Sequence, residues 1–294
     1  MHVVEWLKAA LYGIVEGITE WLPVSSTGHL ILLAERFPFA FSENAEFLAA
    51  FWELFGVVVQ LGAILAVVVL YRGRLFPFGK GRDAAEKRGA VRLWGRVLLA
   101  SVPAALAGTV GDRLLERLTG KDLNGWAYNG LTVALALIGY GVAFLAADRW
   151  RKNRPEKAAR AEDVTPRTAL GIGLFQVLSL IPGTSRSGST ILGGTLLGAS
   201  RVAAAEFSFF MAVPVMCGAS GVKAVGFARD LAAMRLSMPA EGWAVLAVGC
   251  ATSFAVSLCA IRFLTDFVRR HGFGPFGIYR IALGAAVLGW YFWK

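Results

Sequence analysis

The chain has 294 residues, a mean hydropathy of +0.58 and only 17% charged residues, whereas soluble domains carry about 25% charged residues. This composition excludes an ordinary soluble domain and indicates an integral membrane protein. The formal net charge of +10 does not indicate nucleic-acid binding, because the lysines and arginines cluster in the connectors between apolar stretches.

The first predicted element is a short apolar helix that contains Glu16 and Glu20, followed by a polar loop and a second short helix at residues 30–41. A second unit of this kind has its loop at residues 182–190 and its second helix at residues 191–203. The other apolar stretches approach the roughly 20 residues that cross a membrane. In chain order they are residues 54–71, a shorter candidate at 97–110, and 126–147, 207–222, 243–261 and 277–293.

The basic residues predict the orientation of these spans. They concentrate in the connectors at residues 72–96, 149–167 and 262–270. If residues 54–71 form one crossing, all three connectors lie on the same face of the membrane. The positive-inside rule makes that face cytoplasmic and places both termini outside.

A shift of 160 residues superimposes the two halves of the sequence. It places Gly13 on Gly173, Glu16 on Gln176, and residues 25–28 on 185–188. Each half then consists of a short helix, a polar loop, a second short helix and three longer spans. Because each half has an odd number of spans, the halves are expected to be inverted relative to each other.

The predicted fold is therefore an all-α polytopic membrane protein with an inverted-topology repeat, about six transmembrane helices and two re-entrant helical hairpins. We expect one integral membrane domain over residues 1–294, with repeat one at about 1–148, a linker at 149–166 and repeat two at about 167–294. Re-entry is favoured because the second helix of each hairpin is too short to span the bilayer. The two polar loops should then meet inside the membrane.

The first loop region carries groups that are costly in a membrane. Glu16 and Glu20 share one face of a helix, and buried carboxylates indicate a functional site unless they snorkel or pair with a buried arginine. The adjoining loop adds Ser25, Ser26, Thr27 and His29. Its hydroxyls could cap the next helix or bind an anion at its N-terminus, and His29 is a candidate acid or base.

The second loop carries the complementary charge. Arg186 offers a planar fork of donors that suits phosphate oxygens, and the loop also supplies Ser185, Ser187 and Thr190. The Walker pattern is missing, so this is not a nucleotide-binding P-loop. Together the two loops suit phosphoryl transfer or hydrolysis with a divalent cation. Arg280, alone in the last span, is predicted to pair with an acid.

Two segments carry a family resemblance. Residues 16–29 (EGITEWLPVSSTGH) and 182–188 (PGTSRSG) resemble the two signature motifs of the undecaprenyl-pyrophosphate phosphatase family, of the bacitracin-resistance type. The chain departs from the family at Gly56, where an acidic residue is expected.

The resemblance implies removal of the terminal phosphate of undecaprenyl diphosphate, which regenerates the carrier lipid for peptidoglycan synthesis. It also implies a bacterial inner-membrane location, an active site open to the periplasmic or extracellular side, and dependence on a divalent metal ion, Mg or Ca. Glu16 and Glu20 would hold the metal or accept a proton. The sequence leaves open whether the chain forms a homodimer.

By the same resemblance, the essential residues are Glu16, Glu20, Ser26, His29 and Arg186. Those that line the phosphate pocket are Ser25, Thr27, Ser185, Arg186, Ser187 and Thr190. The nucleophile is either Ser26, assisted by His29, or a metal-bound water, and we favour Ser26.

Two other classes of protein were considered. A lipid-phosphate flippase or anion transporter could share the inverted repeat, but it has less use for a nucleophile beside a general base. A lipid-binding or scaffolding protein would leave the five essential polar residues unexplained.

Overall fold

The computed structural model describes residues 2–78, 83–119 and 130–293, and every statement below concerns these residues. Their regular structure is helical, apart from an isolated bridge between Ala158 and Ala199. The α-helices are α1 His2–Thr19, α2 Ser26–Arg36, α3 Ala45–Leu70, α4 Arg72–Leu75, α5 Ala84–Leu106, α6 Asp112–Thr119, α7 Gly130–Arg151, α8 Pro166–Val177, α9 Arg186–Leu197, α10 Arg201–Met234, α11 Ala240–His271 and α12 Gly274–Trp293. A π-helical turn, Ala107–Gly111, joins α5 to α6.

Six of these helical segments are long and apolar enough to cross a membrane, which confirms the prediction of about six transmembrane helices. They are α3, α5 with its continuation to Leu118, α7, α10, α11 and α12. Most begin before or end after the predicted apolar stretch, because polar residues at both ends continue the helix. Residues 126–129 of the third predicted span lie outside the described residues.

Helix α1 runs beside the first half of α11 and in the same direction. His2 at its start bonds to Glu241, and near its end the Ser257 hydroxyl donates to the Gly17 carbonyl at 3.3 Å. Gly13 allows this approach, because a Cβ there would lie 2.5 Å from the Gly249 carbonyl oxygen. Helix α1 therefore ends beside the middle of α11.

Helix α8 has the same relation to α5. Just before α8, the Glu162 carbonyl accepts from Arg96, and farther along, a Cβ on Gly173 would collide with the Ala100 carbonyl. The residue numbers of both helices rise together along the contact, so they are parallel. Helix α8 ends well short of the far end of the α5–α6 segment.

The long helix α3 fixes the direction of the α1–α11 pair relative to the α5–α8 pair. It is parallel to α11, since Phe51 lies against Gly242 and Gly62 lies against Cys250. It is antiparallel to α10, because Lys223 bonds to Glu53 at 2.6 Å while Tyr71, at the other end, contacts Phe210 edge to face. Helix α5 follows α3 and runs back across the bundle. Consequently α1 and α8 point in opposite directions, and each ends near the centre of the molecule.

We expect Gly173→Ala to destabilise the protein by about 1–3 kcal/mol, because a methyl group there must displace the backbone of α5. Thermal unfolding of the purified protein in detergent measures the loss. Gly56→Ala is the matched control, since no atom of the described residues lies within 4 Å of a Cβ built on Gly56. Equal melting temperatures for the two variants would contradict the close contact between α5 and α8.

Arg74, in the connector after α3, forms ion pairs with the second half of the chain. Its guanidinium donates to Glu162 at 2.5 Å and to Glu206 at 2.7 Å. Burial alone would raise the pKa of Glu162, but the hydrogen bonds and charge of Arg74 outweigh it, so the pKa lies below its ordinary value. This cluster joins α4, the 149–166 linker and the start of α10 at one end of the bundle.

Candidate active site

Two short turns form the candidate site, one after α1 and one after α8. The first occupies residues 20–25 and the second ends at Ser185, so α2 and α9 begin inside the predicted loops. Ser25 and Ser185 occupy matching positions in the 160-residue offset and have positive φ angles of 75° and 71°. Such backbone costs about 1–3 kcal/mol for residues other than glycine and clusters at functional sites.

Arg280 of α12 joins the two turns. One of its nitrogens donates to the Pro23 carbonyl at 3.0 Å, and another donates to the carbonyls of Gly183 and Thr184 at 2.7 and 2.9 Å. The side chain has no solvent exposure. The prediction of an acidic partner for Arg280 was wrong, because backbone carbonyls of the turns take that place.

We expect Arg280→Met to lower both stability and activity, since each buried carbonyl that loses its donor costs about 1–3 kcal/mol. The melting temperature should fall clearly below that of the wild type, and turnover should fall by roughly tenfold or more. The exposed Arg92, changed to methionine, is the control. Wild-type melting and turnover in the Arg280 variant would refute its role in joining the turns.

Glu20 receives hydrogen bonds from both halves of the chain. Ser26, at the start of α2, donates its hydroxyl to Glu20 Oε2 at 2.8 Å. Arg186, at the start of α9, donates to Glu20 Oε1, also at 2.8 Å. A hydroxyl, a carboxylate and a guanidinium thus form one chain of contacts across residues distant in sequence.

The rest of the Arg186 side chain is only partly satisfied. One terminal nitrogen donates to the Ser208 carbonyl on α10 at 2.6 Å. The Nε atom is buried and has no hydrogen-bond partner among the described residues. This N–H remains available for an anionic oxygen.

Glu16 lies one turn before Glu20 and is completely buried. Neither of its carboxylate oxygens meets hydrogen-bond geometry with a described residue, although the side chains of Gln60 and Glu20 lie close enough to act on it. A buried carboxylate placed in this way is a candidate cation ligand. No group of three or more His, Cys, Asp or Glu residues in the described part of the chain could hold a metal ion alone. A divalent cation held by Glu16 and Glu20 would take most of its ligands from water and phosphate oxygens, as Mg²⁺ usually does.

His29 does not bond to Ser26. Its Nδ1 bonds to the Ser25 carbonyl at 2.7 Å, and its Nε2 lies 2.6 Å from the hydroxyl of Tyr279. Because a carbonyl only accepts, Nδ1 carries a proton. The imidazole therefore supports the turn immediately before Ser26, and the hydroxyl of Ser26 is left to Glu20.

Three of the remaining predicted residues, Ser185, Ser187 and Thr190, lie at the second turn and the start of α9. Ser185 caps α9 by accepting from the Gly188 amide at 3.2 Å and lies 3.1 Å from the Ser187 hydroxyl. Thr190 bonds to Ser208 at 2.6 Å.

Ser25 makes no side-chain cap, and its buried hydroxyl has no partner among the described residues. Thr27 falls in α2, and its side chain lies outside the described part of the structure.

Comparison with known proteins identifies the family. Residues 9–286 match the profile of the family described as bacitracin resistance protein BacA. This chain belongs to that family. The undecaprenyl-diphosphatase of Streptococcus mutans serotype c is 49% identical over 284 residues, 97% of this chain and 95% of that protein. Proteins of the same name from Enterococcus faecalis and Streptococcus gordonii are 45% and 44% identical, over 97% and 100% of this chain and 96% and 98% of their own lengths. The resemblance found in the two motifs is confirmed.

An apolar cavity of about 380 Å³ begins beside the first turn of this BacA-family protein. Gly28 and Ile31 of α2 lie at one side of it, and Val133, Leu283 and Trp290 form its apolar wall. It extends along α2 toward the start of α7 and the end of α12. These ends point away from the basic 149–166 linker.

The motifs alone did not reveal four residues that contact the site. On α12, Tyr279 bonds to His29 and Arg280 bonds to the two turns. Tyr140 of α7 bonds to Ser189, and Ser208 of α10 bonds to Arg186 and Thr190. All four lie within long, mainly apolar spans. Only Arg280 carried a usable signal, because an arginine within an apolar span needs partners.

Proposed function

We propose that this membrane protein hydrolyses undecaprenyl diphosphate to undecaprenyl phosphate and inorganic phosphate. The observation that carries the proposal is the pair of 2.8 Å hydrogen bonds from Ser26 and Arg186 to Glu20. It joins a nucleophile, a base and a phosphate-binding cation in one buried cluster. Relatives along the whole chain bear the name undecaprenyl-diphosphatase, and this cluster suits that reaction.

The diphosphate would bind between the two turns. Arg186 supplies its unpartnered Nε–H, and the amides at the N-terminus of α9 supply further donors. The apolar cavity beside Gly28 would take the isoprenoid units nearest the diphosphate, while the rest of the chain stays in the lipid. Positioned donors of this kind offset the charge that spreads over the transferred phosphoryl oxygens.

The chemistry would proceed in two steps. The Ser26 hydroxyl attacks the terminal phosphorus, and its proton passes to Glu20. The bond to the bridging oxygen breaks, and undecaprenyl phosphate leaves. Water then attacks the phosphoserine, inorganic phosphate departs, and the Ser26 oxygen regains a proton from Glu20. Direct attack by water on the diphosphate is the alternative, and the hydrogen bond between Ser26 and Glu20 favours the serine.

Glu16, with Glu20 beside it, would hold a divalent cation, Mg or Ca. When bound, the cation would neutralise part of the charge of the diphosphate. Glu20 keeps its role toward Ser26 and Arg186, so Glu16 is the carboxylate free to act as ligand. The unsatisfied oxygens of Glu16 support this division of roles.

The fold proposed for this site is an inverted repeat, with repeat one at about residues 1–148, a linker at 149–166 and repeat two at about 167–294. In it, α1–α2 and α8–α9 are re-entrant hairpins. Three observations support it: the opposite directions of α1 and α8, the matching close contacts of Gly13 and Gly173, and the matching positive φ angles of Ser25 and Ser185. The halves would then meet at the midplane, where such proteins have their polar sites.

The proposed location is the bacterial inner membrane, with the basic linker in the cytoplasm and both termini outside. The apolar cavity runs from the turns toward the ends of α7 and α12 opposite the linker. The active site would therefore open to the periplasmic or extracellular side.

The direct test is release of inorganic phosphate from undecaprenyl diphosphate by the purified protein in detergent. We expect turnover with Mg²⁺ or Ca²⁺ and a strong reduction in EDTA. A folded protein that releases no phosphate with either cation would refute the phosphatase. A transporter or flippase on the same repeat would leave the diphosphate intact, so the product also separates these alternatives.

A further inference from the structure

A second polar cavity lies at the linker end of the bundle, away from the two turns. Its volume is about 830 Å³. It lies between the end of α7, the linker, the junction of α9 with α10, and the end of α11. Two acidic side chains, Asp148 and Glu156, line it. Against them stand six cationic side chains: Arg149, Arg151, Lys152, Arg154, Arg201 and Arg269.

Most of this positive charge is not neutralised by the protein. Among the six cations, and within the described residues, only Arg201 and Arg269 have acidic partners, Asp148 and Asp266. Asp148 is already occupied, because its other oxygen accepts from the amides of Phe273 and Gly274. The cavity is thus suited to an anion.

Two further features of the wall are a buried hydroxyl and a helix N-terminus. Thr195 is a wall residue that is 3% exposed, and its buried hydroxyl has no hydrogen-bond partner among the described residues. Ser200 and Arg201 lie in the same wall at the N-terminus of the 34-residue helix α10, where the Ser200 hydroxyl accepts from the Ala203 amide at 3.0 Å. The first amides of a helix lack partners within it and attract anions. The positive-inside rule explains basic residues on this face, but it does not explain their convergence on one cavity between four segments of the chain.

The position of the cavity indicates the source of the anion. Trp150, which ends the apolar part of α7, stacks under Arg154 at 4.0 Å. Tryptophan at the end of a span marks the membrane–water interface, which places the neighbouring cations at the depth of lipid headgroups. Basic pockets between transmembrane helices on the cytoplasmic side bind anionic headgroups.

We propose that this cavity is a second phosphate site, separate from the two turns, that binds the phosphate group of an anionic phospholipid such as phosphatidylglycerol. The lipid would bridge the linker and the ends of α7 and α11. Free inorganic phosphate shares the same chemistry, so the test separates the two sources.

The test measures binding of short-chain phosphatidylglycerol, short-chain phosphatidylcholine and inorganic phosphate to the full-length protein by native mass spectrometry. The cavity variants are Thr195→Val and the double variant Arg149→Gln/Lys152→Gln. The matched control is Arg88→Gln/Arg92→Gln, which removes the same charge from exposed positions on α5 outside the cavity.

Phosphatidylglycerol should bind the wild type more tightly than phosphatidylcholine does. The double cavity variant should weaken it by about tenfold or more, while the control stays within roughly twofold. Thr195→Val should also weaken binding, and phosphate release by the double variant in detergent should stay at the wild-type rate.

Equal losses of phosphatidylglycerol binding in the cavity and control variants would overturn the proposal, because binding would then depend on surface charge alone. Binding of inorganic phosphate without binding of phosphatidylglycerol would overturn the lipid source, as would equal affinity for phosphatidylcholine. If the double cavity variant lost phosphate release to the same extent as it lost phosphatidylglycerol binding, the cavity would not be separate from the site at the two turns.

Discussion

Replacing Ser26 with alanine is expected to reduce phosphate release from undecaprenyl diphosphate by roughly a thousandfold or more, as the loss of a nucleophile generally does. Ser26 donates to Glu20 at 2.8 Å, so its proton acceptor is already in contact. The variant removes the atom that we propose bonds to phosphorus and leaves Glu20 and Arg186 in place. The effect should appear in kcat rather than in KM, because the diphosphate donors remain.

Ser101→Ala is the matched control. The Ser101 hydroxyl bonds to a carbonyl of its own helix, far from the two turns in sequence, and its loss should leave turnover within about twofold. A Ser26→Ala variant that keeps more than roughly a tenth of wild-type turnover would exclude a serine nucleophile and favour attack by water.

Arg186→Lys is expected to reduce kcat/KM by roughly one hundredfold to one thousandfold, the range seen when one preorganised donor to a developing negative charge is lost. The guanidinium contacts Glu20 and the Ser208 carbonyl while keeping Nε free. A lysine ammonium cannot bridge these partners and also reach an anion, since it lacks the planar fork.

The exposed Arg92, changed to lysine, controls for the chemical change and should leave kinetics unchanged. Near-normal kcat/KM in Arg186→Lys would contradict the phosphate clamp. A rise in KM alone would mean that Arg186 binds the ground state and the transition state equally.

Much of the site could be predicted because charge within apolar sequence is rare. Glu16, Glu20 and Arg186 stood out for that reason, and the structure joins Arg186 to Glu20 across 166 positions. The 160-residue offset predicted that the two turns would be related, and Arg280 bonds to both of them.

Other features could not be predicted because they depend on tertiary contacts. Ser26 bonds to Glu20, whereas His29 bonds to the carbonyl of Ser25, a residue with a positive φ, and to Tyr279. A serine at this position gives no local signal for a left-handed conformation. The start of α9 at Arg186, inside the predicted loop, follows Ser185, whose φ is also positive.

The central claim is that the two turns form one site for hydrolysis of undecaprenyl diphosphate. It is tested most directly by measuring phosphate release by the wild type, Ser26→Ala, Arg186→Lys and the double variant. Residues that act as a unit give strongly non-additive losses. We expect the wild type to turn over and the double variant to be scarcely slower than the slower single variant. Independent, multiplicative losses, or no release by the wild type, would contradict a shared site.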